Sequence, residues 1–125
     1  MNTILVVEDN PTIAAALAVR LRAAGYEVLT AGDGHNAILS AVSRKPDLII
    51  SDIWMPSPLG FLNRDRLHRL GLAEVPVIYI TASKKADLPD IAREEGAAAF
   101  FEKPFDSKAL LAAVSTALSQ RSLTA

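Results

Sequence analysis

The chain has 125 residues, half of them apolar, with 13 basic and 14 acidic side chains and a formal net charge of −1. That length suits one domain of about 100–150 residues with an ordinary buried core. Lack of cysteine excludes disulfide scaffolds, thiolate metal sites and cysteine nucleophiles, and the charge gives no electrostatic reason to contact nucleic acid directly.

Short apolar runs alternate with longer amphipathic stretches along the chain. Residues 4–7 (ILVV) form the first run, and Asn10 followed by Pro11 then reads as an N-cap with proline in the first helical position. Ile13, Leu17 and Leu21 repeat every four residues, which predicts a helix ending near Gly25. The second run is 27–31 (EVLTA), the third 48–50 (LII), the fourth 77–80 (VIYI) and the fifth 98–101 (AAFF). Gly71 and Gly96 stand where helices would close, and Leu111, Val114 and Leu118 mark a last helix. The runs are short and almost continuously apolar, as strands covered on both faces are. Five β-then-α units in series predict an α/β fold with a five-stranded parallel sheet, doubly wound, and five helices.

The expected organisation is a single domain over 1–125, with its core at about 3–120 and a frayed tail at 121–125. No apolar run approaches the roughly 18 residues of a membrane span, and no leader precedes Thr3. These features predict a cytoplasmic protein without membrane insertion. Pro89 falls inside the expected fourth helix, so that helix should begin late, with Pro89 in its first turn, or be kinked.

In open α/β sheets ligands bind beyond the carboxyl ends of the strands, near the point where strand order reverses. The residues just after the apolar runs should therefore converge: Glu8 and Asp9, Asp52, Thr81 and Lys103. Carboxylates brought together repel one another, and a divalent cation relieves that repulsion. An oxygen-only donor set suits Mg²⁺ or Mn²⁺. An aspartate can itself attack phosphorus, with a cation, a lysine and a hydroxyl sharing the charge on the transferring oxygens. Asp52, on the central strand between the acidic pair and Lys103, is the inferred nucleophile.

These pieces together resemble the response regulator receiver domain, the family that includes the single-domain chemotaxis regulators. The resemblance is carried by VVEDN at 6–10, PDLIISD at 46–52, Met55 and Pro56, Gly60, PVIYITA at 76–82, Gly96 and Ala97, and KPF at 103–105. It runs from about Thr3 to Leu118. It implies a flavodoxin-like sheet of order 2-1-3-4-5 and a phosphoacceptor switch of a two-component phosphorelay. Asp52 would then accept a phosphoryl group from a histidine kinase or histidine phosphotransfer protein. Mg²⁺ would be held by Asp9, by Glu8 mainly through water, by Asp52 and by the carbonyl of Trp54. Thr81 and Lys103 would contact the phosphoryl oxygens, and Ala82 would keep the approach open.

The resemblance further implies a cis peptide between Lys103 and Pro104 and a switch made by Thr81 and Phe100. That switch would alter the face of the fourth helix, fifth strand and fifth helix toward an output partner the sequence does not name. The chain would assist its own phosphorylation and dephosphorylation without being an enzyme on a separate substrate, as a monomer or weak dimer. The first helix, around Ile13 and Leu17, would receive the donor's helical bundle.

Trp54, Pro58 and Leu59 depart from the family pattern, and Trp54 could shield the acyl phosphate or simply cover the loop. Phe100 lacks the hydroxyl of a tyrosine. Taken one at a time, Glu8 and Asp9 could be capping residues, Lys103 a solvated surface lysine, Thr81 ordinary strand chemistry and Phe100 plain core. His35 and His68 lack ligand spacing and should be exposed, and Arg64, Arg66, His68 and Arg69 read as a solvated helix face. A flavodoxin would want a hydroxyl- and glycine-rich loop after the first strand, where this chain has Glu8, Asp9, Asn10 and Pro11. An aspartate-based phosphatase would want two aspartates spaced by two residues there. A docking-only pseudo-receiver would not need the complete set of polar residues.

Overall fold

The computed structural model describes residues 1–52, 64–82 and 88–124. Among them the chain runs β1 (Thr3–Val7), α1 (Pro11–Ala23), β2 (Glu27–Ala31), α2 (Gly34–Arg44), β3 (Leu48–Asp52), α3 (Arg64–Arg69), β4 (Val77–Thr81), α4 (Leu88–Glu94), β5 (Ala99–Glu102) and α5 (Ser107–Thr124). All neighbouring strands pair in parallel, in the order β2-β1-β3-β4-β5. The flavodoxin-like doubly wound sheet expected from the sequence is thus the observed one.

Burial explains which strands lie inside. β3 and β4 are buried at every residue and β1 at four of its five, as strands with helices on both faces must be. β2 and β5, the two edges, carry exposed Glu27, Thr30 and Glu102, which blunts edge-to-edge pairing. Side chains alternate strictly across the sheet. Ile4, Val6, Leu48, Ile50, Ile78 and Ile80 pack with Leu17, Leu21, Leu110 and Val114 of α1 and α5. Leu5, Val7, Ile49, Val77 and Tyr79 face the other way and meet Ala37, Ala41, Leu67 and Ala92 of α2, α3 and α4. Crossovers between parallel strands are right-handed, so the face a helix covers follows from the direction the chain moves along the sheet. The chain steps one way from β1 to β2 and the other way from β2 through β5. α1 therefore stands opposite α2, α3 and α4.

The helix ends follow local chemistry. Asn10 caps α1, its Oδ1 accepting from the N–H groups of Thr12 (3.0 Å) and Ile13 (3.3 Å) with Pro11 next. Gly25, Gly71 and Gly96 all have positive φ where helices close. α4 carries Pro89 in its first turn, where a missing N–H costs no intrahelical bond.

Two further termini stand apart, one that the sequence reading did not address and one that differs from it. Lys45 closes α2 in the left-handed region at φ 46, although no glycine marks the spot. α5 continues to Thr124, through most of the stretch expected to be a frayed tail, because no glycine or proline interrupts residues 107–124. The start of β1 is clipped to the start of β3 by a reciprocal pair: the Thr3 N–H donates to Asp47 Oδ2 (2.8 Å), and the Asp47 N–H donates to the Thr3 carbonyl (2.8 Å).

Candidate functional site

The sheet places the polar residues by its own geometry. β2 lies to one side of β1 and β3 to the other, so strand order reverses between β1 and β3, and their carboxyl ends border the crevice where α/β sheets bind ligands. Glu8 and Asp9 leave β1 directly into that crevice, before the Asn10 cap. Asp52 and Thr81 do not follow their strands, as the apolar runs suggested, but form the last residues of β3 and β4. Lys103 comes one residue after β5. Its N–H donates to the Thr81 carbonyl (2.7 Å), which holds the end of β5 beside that of β4.

Glu8, Asp52 and Thr81 are buried, and Asp9 is exposed. Burying an isolated carboxylate is costly unless it is paired and hydrogen-bonded. Glu8, with its side chain 1% exposed, has both: Oε1 pairs with the Lys103 ammonium, and Oε2 accepts from the Asn10 N–H at 3.1 Å. The same ammonium stands 3.5 Å from Asp52 Oδ2. Desolvation by burial holds the Glu8 carboxyl above its ordinary value. The Lys103 bond works against that rise, Asp9 adds to it, and the Asn10 N–H opposes it.

Glu8, Asp9 and Asp52 each offer a carboxylate oxygen, and the three oxygens lie within 4.8 Å of one another. Two anionic ligands are buried and the third opens to solvent, an all-oxygen set that fits a hard divalent cation keeping part of its water. The fourth expected ligand, the Trp54 carbonyl, lies outside the described residues, as do Met55, Pro56, Pro58, Leu59 and Gly60.

The residues flanking Lys103 are anchored in the core. Phe101 and Phe105 bracket Lys103 in sequence, their rings 5.9 Å apart, and both pack against the α1–α5 layer of the core. The Lys103–Pro104 peptide between them is cis. Phe100 points to the opposite layer, beside its register partner Tyr79, and packs partly buried against the core there. Ala82 is exposed just beyond Thr81.

The structure thus brings Glu8, Asp9, Asp52 and Lys103 together, with Thr81 one residue beyond Ile80, the register partner of Asp52. His35 and His68 are exposed and stand outside the acidic cluster. On α3, Arg69 pairs with Asp65 at 3.0 Å on a solvated face. Leu17 is a correction: it is buried against the sheet. The surface α1 presents is made by Ala15, Ala16 and Val19 instead, with Ile13 half-buried. Two contacts had no reading in the sequence: the preference of Lys103 for Glu8, and the Asn10 N–H that holds Glu8 from behind. The only available signal for the second was the adjacency of Glu8, Asp9 and Asn10 before a proline.

A doubly wound parallel sheet with three carboxylates and a lysine at its β1–β3 rim has the architecture of a receiver. The chain belongs to the response regulator receiver domain family, whose model matches residues 4–115. It is 38% identical over 124 residues to the transcriptional regulatory protein PdtaR of Mycobacterium tuberculosis, a match covering 98% of this chain and 60% of that protein. The chain therefore spans less than two thirds of that relative's length. Among solved structures, a response regulator receiver domain protein from Clostridium thermocellum superposes with TM-score 0.85 and 27% identity over 100% of each chain. The chemotaxis protein CheY4 of Vibrio cholerae does so with TM-score 0.81 and 27% identity, over 94% of this chain and 98% of that one.

The family is one of two-component signalling proteins rather than classical enzymes, and receiver domains typically bind Mg²⁺. PdtaR is a transcriptional regulator by name and is longer than this chain, so the expected lack of direct nucleic-acid contact gains no support. No helix among the described residues is long and apolar enough to cross a membrane.

Proposed function

We propose that the domain is a phosphoacceptor switch in which Asp52 takes a phosphoryl group from a phosphohistidine of a histidine kinase or phosphotransfer protein. An Asp52 carboxylate oxygen forms the new O–P bond while the donor's N–P bond breaks, and the electron pair of that bond returns to the imidazole nitrogen. The observation that carries this reading is the placement of Asp52. It is a buried strand-end carboxylate with Glu8 and Asp9 on one side and a lysine ammonium on the other.

Asp9, Glu8 and Asp52 would hold Mg²⁺, with the Trp54 carbonyl as a further ligand. The ion supplies positive charge beside the transferring oxygens. Lys103 supplies a second positive charge and the Thr81 hydroxyl a hydrogen bond, so this chain's own part is alignment and neutralisation. Aspartyl phosphate would draw Thr81 toward it and turn Phe100 inward, altering the α4–β5–α5 face. Phosphorylation shifts that equilibrium only by its differential interaction with the two states. The donor's helices would dock on the Ala15, Ala16 and Val19 surface of α1 rather than on Leu17. The working compartment that accompanies this reading is the cytoplasm. As one receiver domain, monomeric or weakly dimeric, the chain turns over no separate substrate.

Intact mass after incubation with Mg²⁺ and acetyl phosphate tests the reading. The expected outcome is a gain of one phosphoryl group that is lost in Asp52→Asn and when the metal is chelated. An unchanged mass, under conditions where the protein is folded, would favour a docking-only domain.

A further inference from the structure

The sheet edge at β2 is only partly closed. The Glu27 N–H donates to the Asn2 carbonyl (2.9 Å), and the Ala31 carbonyl accepts from the Glu8 N–H (3.0 Å). Alternate residues of a parallel strand face the same neighbour, so Glu27, Leu29 and Ala31 turn their main-chain groups to β1 while Val28 and Thr30 turn theirs outward. Arg22 bears out that direction, its Nη2 donating to the Val28 carbonyl at 3.3 Å from the open side. Among the described residues nothing bonds the Thr30 N–H or carbonyl. Glu27, paired with Arg44 at 2.8 Å, guards only the foot of this edge. Above it a groove of about 420 Å³ runs between the edge and α1, bordered by Thr30 and Gly32 on one side and by Ala15, Ala18, Val19 and Arg22 on the other. Val19 is 66% exposed there, and Arg22 has no carboxylate partner among the described residues.

We propose that this edge is a docking site for an extended segment of a partner protein, which adds beside β2 as a sixth strand, sets a carboxylate against Arg22 and sends an apolar side chain into the groove beside Thr30. The chemistry of the edge names its occupant. Outward main-chain donors and acceptors are satisfied by another strand, and alternate side chains of that strand then carry the specificity. Val28 and Thr30 are two residues apart and share the α1 face of the sheet, so the recognised pair is an acidic and an apolar residue spaced by two. The acid stands level with Val28 and the apolar residue level with Thr30. Asp9, exposed at the upper end of the groove, repels an acid there and enforces that placement. Arg22 leaves the Val28 carbonyl as the strand arrives, and the incoming carboxylate gives its guanidinium a stronger, charge-assisted partner. The small side chains of Ala15 and Ala18 leave the room that the apolar residue takes up. The site does not depend on the phosphoacceptor reading. Ala15 and Val19 also belong to the α1 surface proposed for the donor, so the two occupants exclude one another.

Two blocked heptapeptides, Thr-Asp-Thr-Val-Thr-Thr-Thr and its reverse Thr-Thr-Thr-Val-Thr-Asp-Thr, serve as probes for a strand running with or against β2. Each is titrated to millimolar concentration into the whole chain labelled with nitrogen-15. At least one should shift the amide signals of Val28, Thr30 and Gly32 and those of α1 from Ala15 to Arg22. Replacing its aspartate by lysine should weaken binding about threefold, the scale of one exposed ion pair, and Arg22→Glu should reverse that preference. Thr30→Pro should abolish the shifts, because it removes only an outward N–H that the pairing with β1 does not use. Shifts absent for both peptides overturn the proposal, as do shifts retained in Thr30→Pro or a binding constant indifferent to the aspartate. Far-UV circular dichroism checks folding. Ala15→Phe, which fills the groove from an exposed position, takes the place of Thr30→Pro if that variant does not fold. Phosphoryl gain from acetyl phosphate needs neither occupant, so these outcomes and those of the phosphoacceptor test are read separately.

Discussion

Asp47 and Tyr79 show how single side chains in the receiver motifs serve the fold rather than the chemistry. Asp47, within the PDLIISD stretch, ties the first turn of the sheet together by accepting the Thr3 N–H. Tyr79 is 1% exposed in the middle of β4. Burial first, and the negative charge of Glu95 second, push its phenol well above the ordinary tyrosine value. The sign of the consequence follows from linkage. A group whose value is raised on folding lends stability that is fully present below its unfolded value, about 10 for tyrosine, and is lost as pH rises through the folded value. Tyr79→Phe should therefore lose less stability than the parent above about pH 10, the two curves converging by up to ~1.4 kcal/mol per pH unit. Urea unfolding at neutral and alkaline pH measures it, and parallel curves would remove Tyr79 as the cause. Glu8 illustrates the opposite economy: a carboxylate that burial disfavours as an anion is retained beside a lysine, at the place where an ion is wanted.

At the scale of elements, most boundaries follow from capping chemistry that a linear reading can see, and the exceptions are informative. Asn10 with Pro11 starts α1, and glycines at positive φ close three helices. α2 breaks the pattern, since Lys45 takes the left-handed conformation without a glycine. For a residue with a Cβ that conformation costs about 1–2 kcal/mol, while glycine gives back part of the gain through its freer unfolded chain. Lys45→Gly should then raise the unfolding free energy by about 0.5 kcal/mol, read as a higher urea midpoint at unchanged slope. A lower midpoint would show that Lys45 contributes a contact worth more than its strain. Pro46, directly after Lys45, is the local signal that the helix stops here, but a proline does not mark which residue before it takes the left-handed conformation. The cap is imposed by the need to deliver the chain into Asp47 and β3. The first-turn position of Pro89, by contrast, was legible, since proline's missing N–H tolerates few other places in a helix.

On the scale of the whole molecule, the sheet makes one rim from segments that are 95 residues apart, Glu8 and Lys103. Anything that binds only the assembled rim must stabilise the entire fold. Mg²⁺ at about ten times its dissociation constant should add ~1.4 kcal/mol to the unfolding free energy. Asp52→Asn should diminish that increment at the same concentration. An equal increment in the variant would place the ion elsewhere on the protein.

The division between what the order of residues settled and what folding alone could settle runs along a physical line. Strand identity, the start of α1, the doubly wound class and the polar residues expected at the strand ends were readable, because periodicity, caps and residue type are local and survive in one dimension. Which of two carboxylates the Lys103 ammonium takes, and which main-chain N–H holds Glu8 from behind, were not. Both depend on distances that only the assembled rim sets. A change of an ångström or two at a buried rim alters an electrostatic interaction by more than any propensity can record.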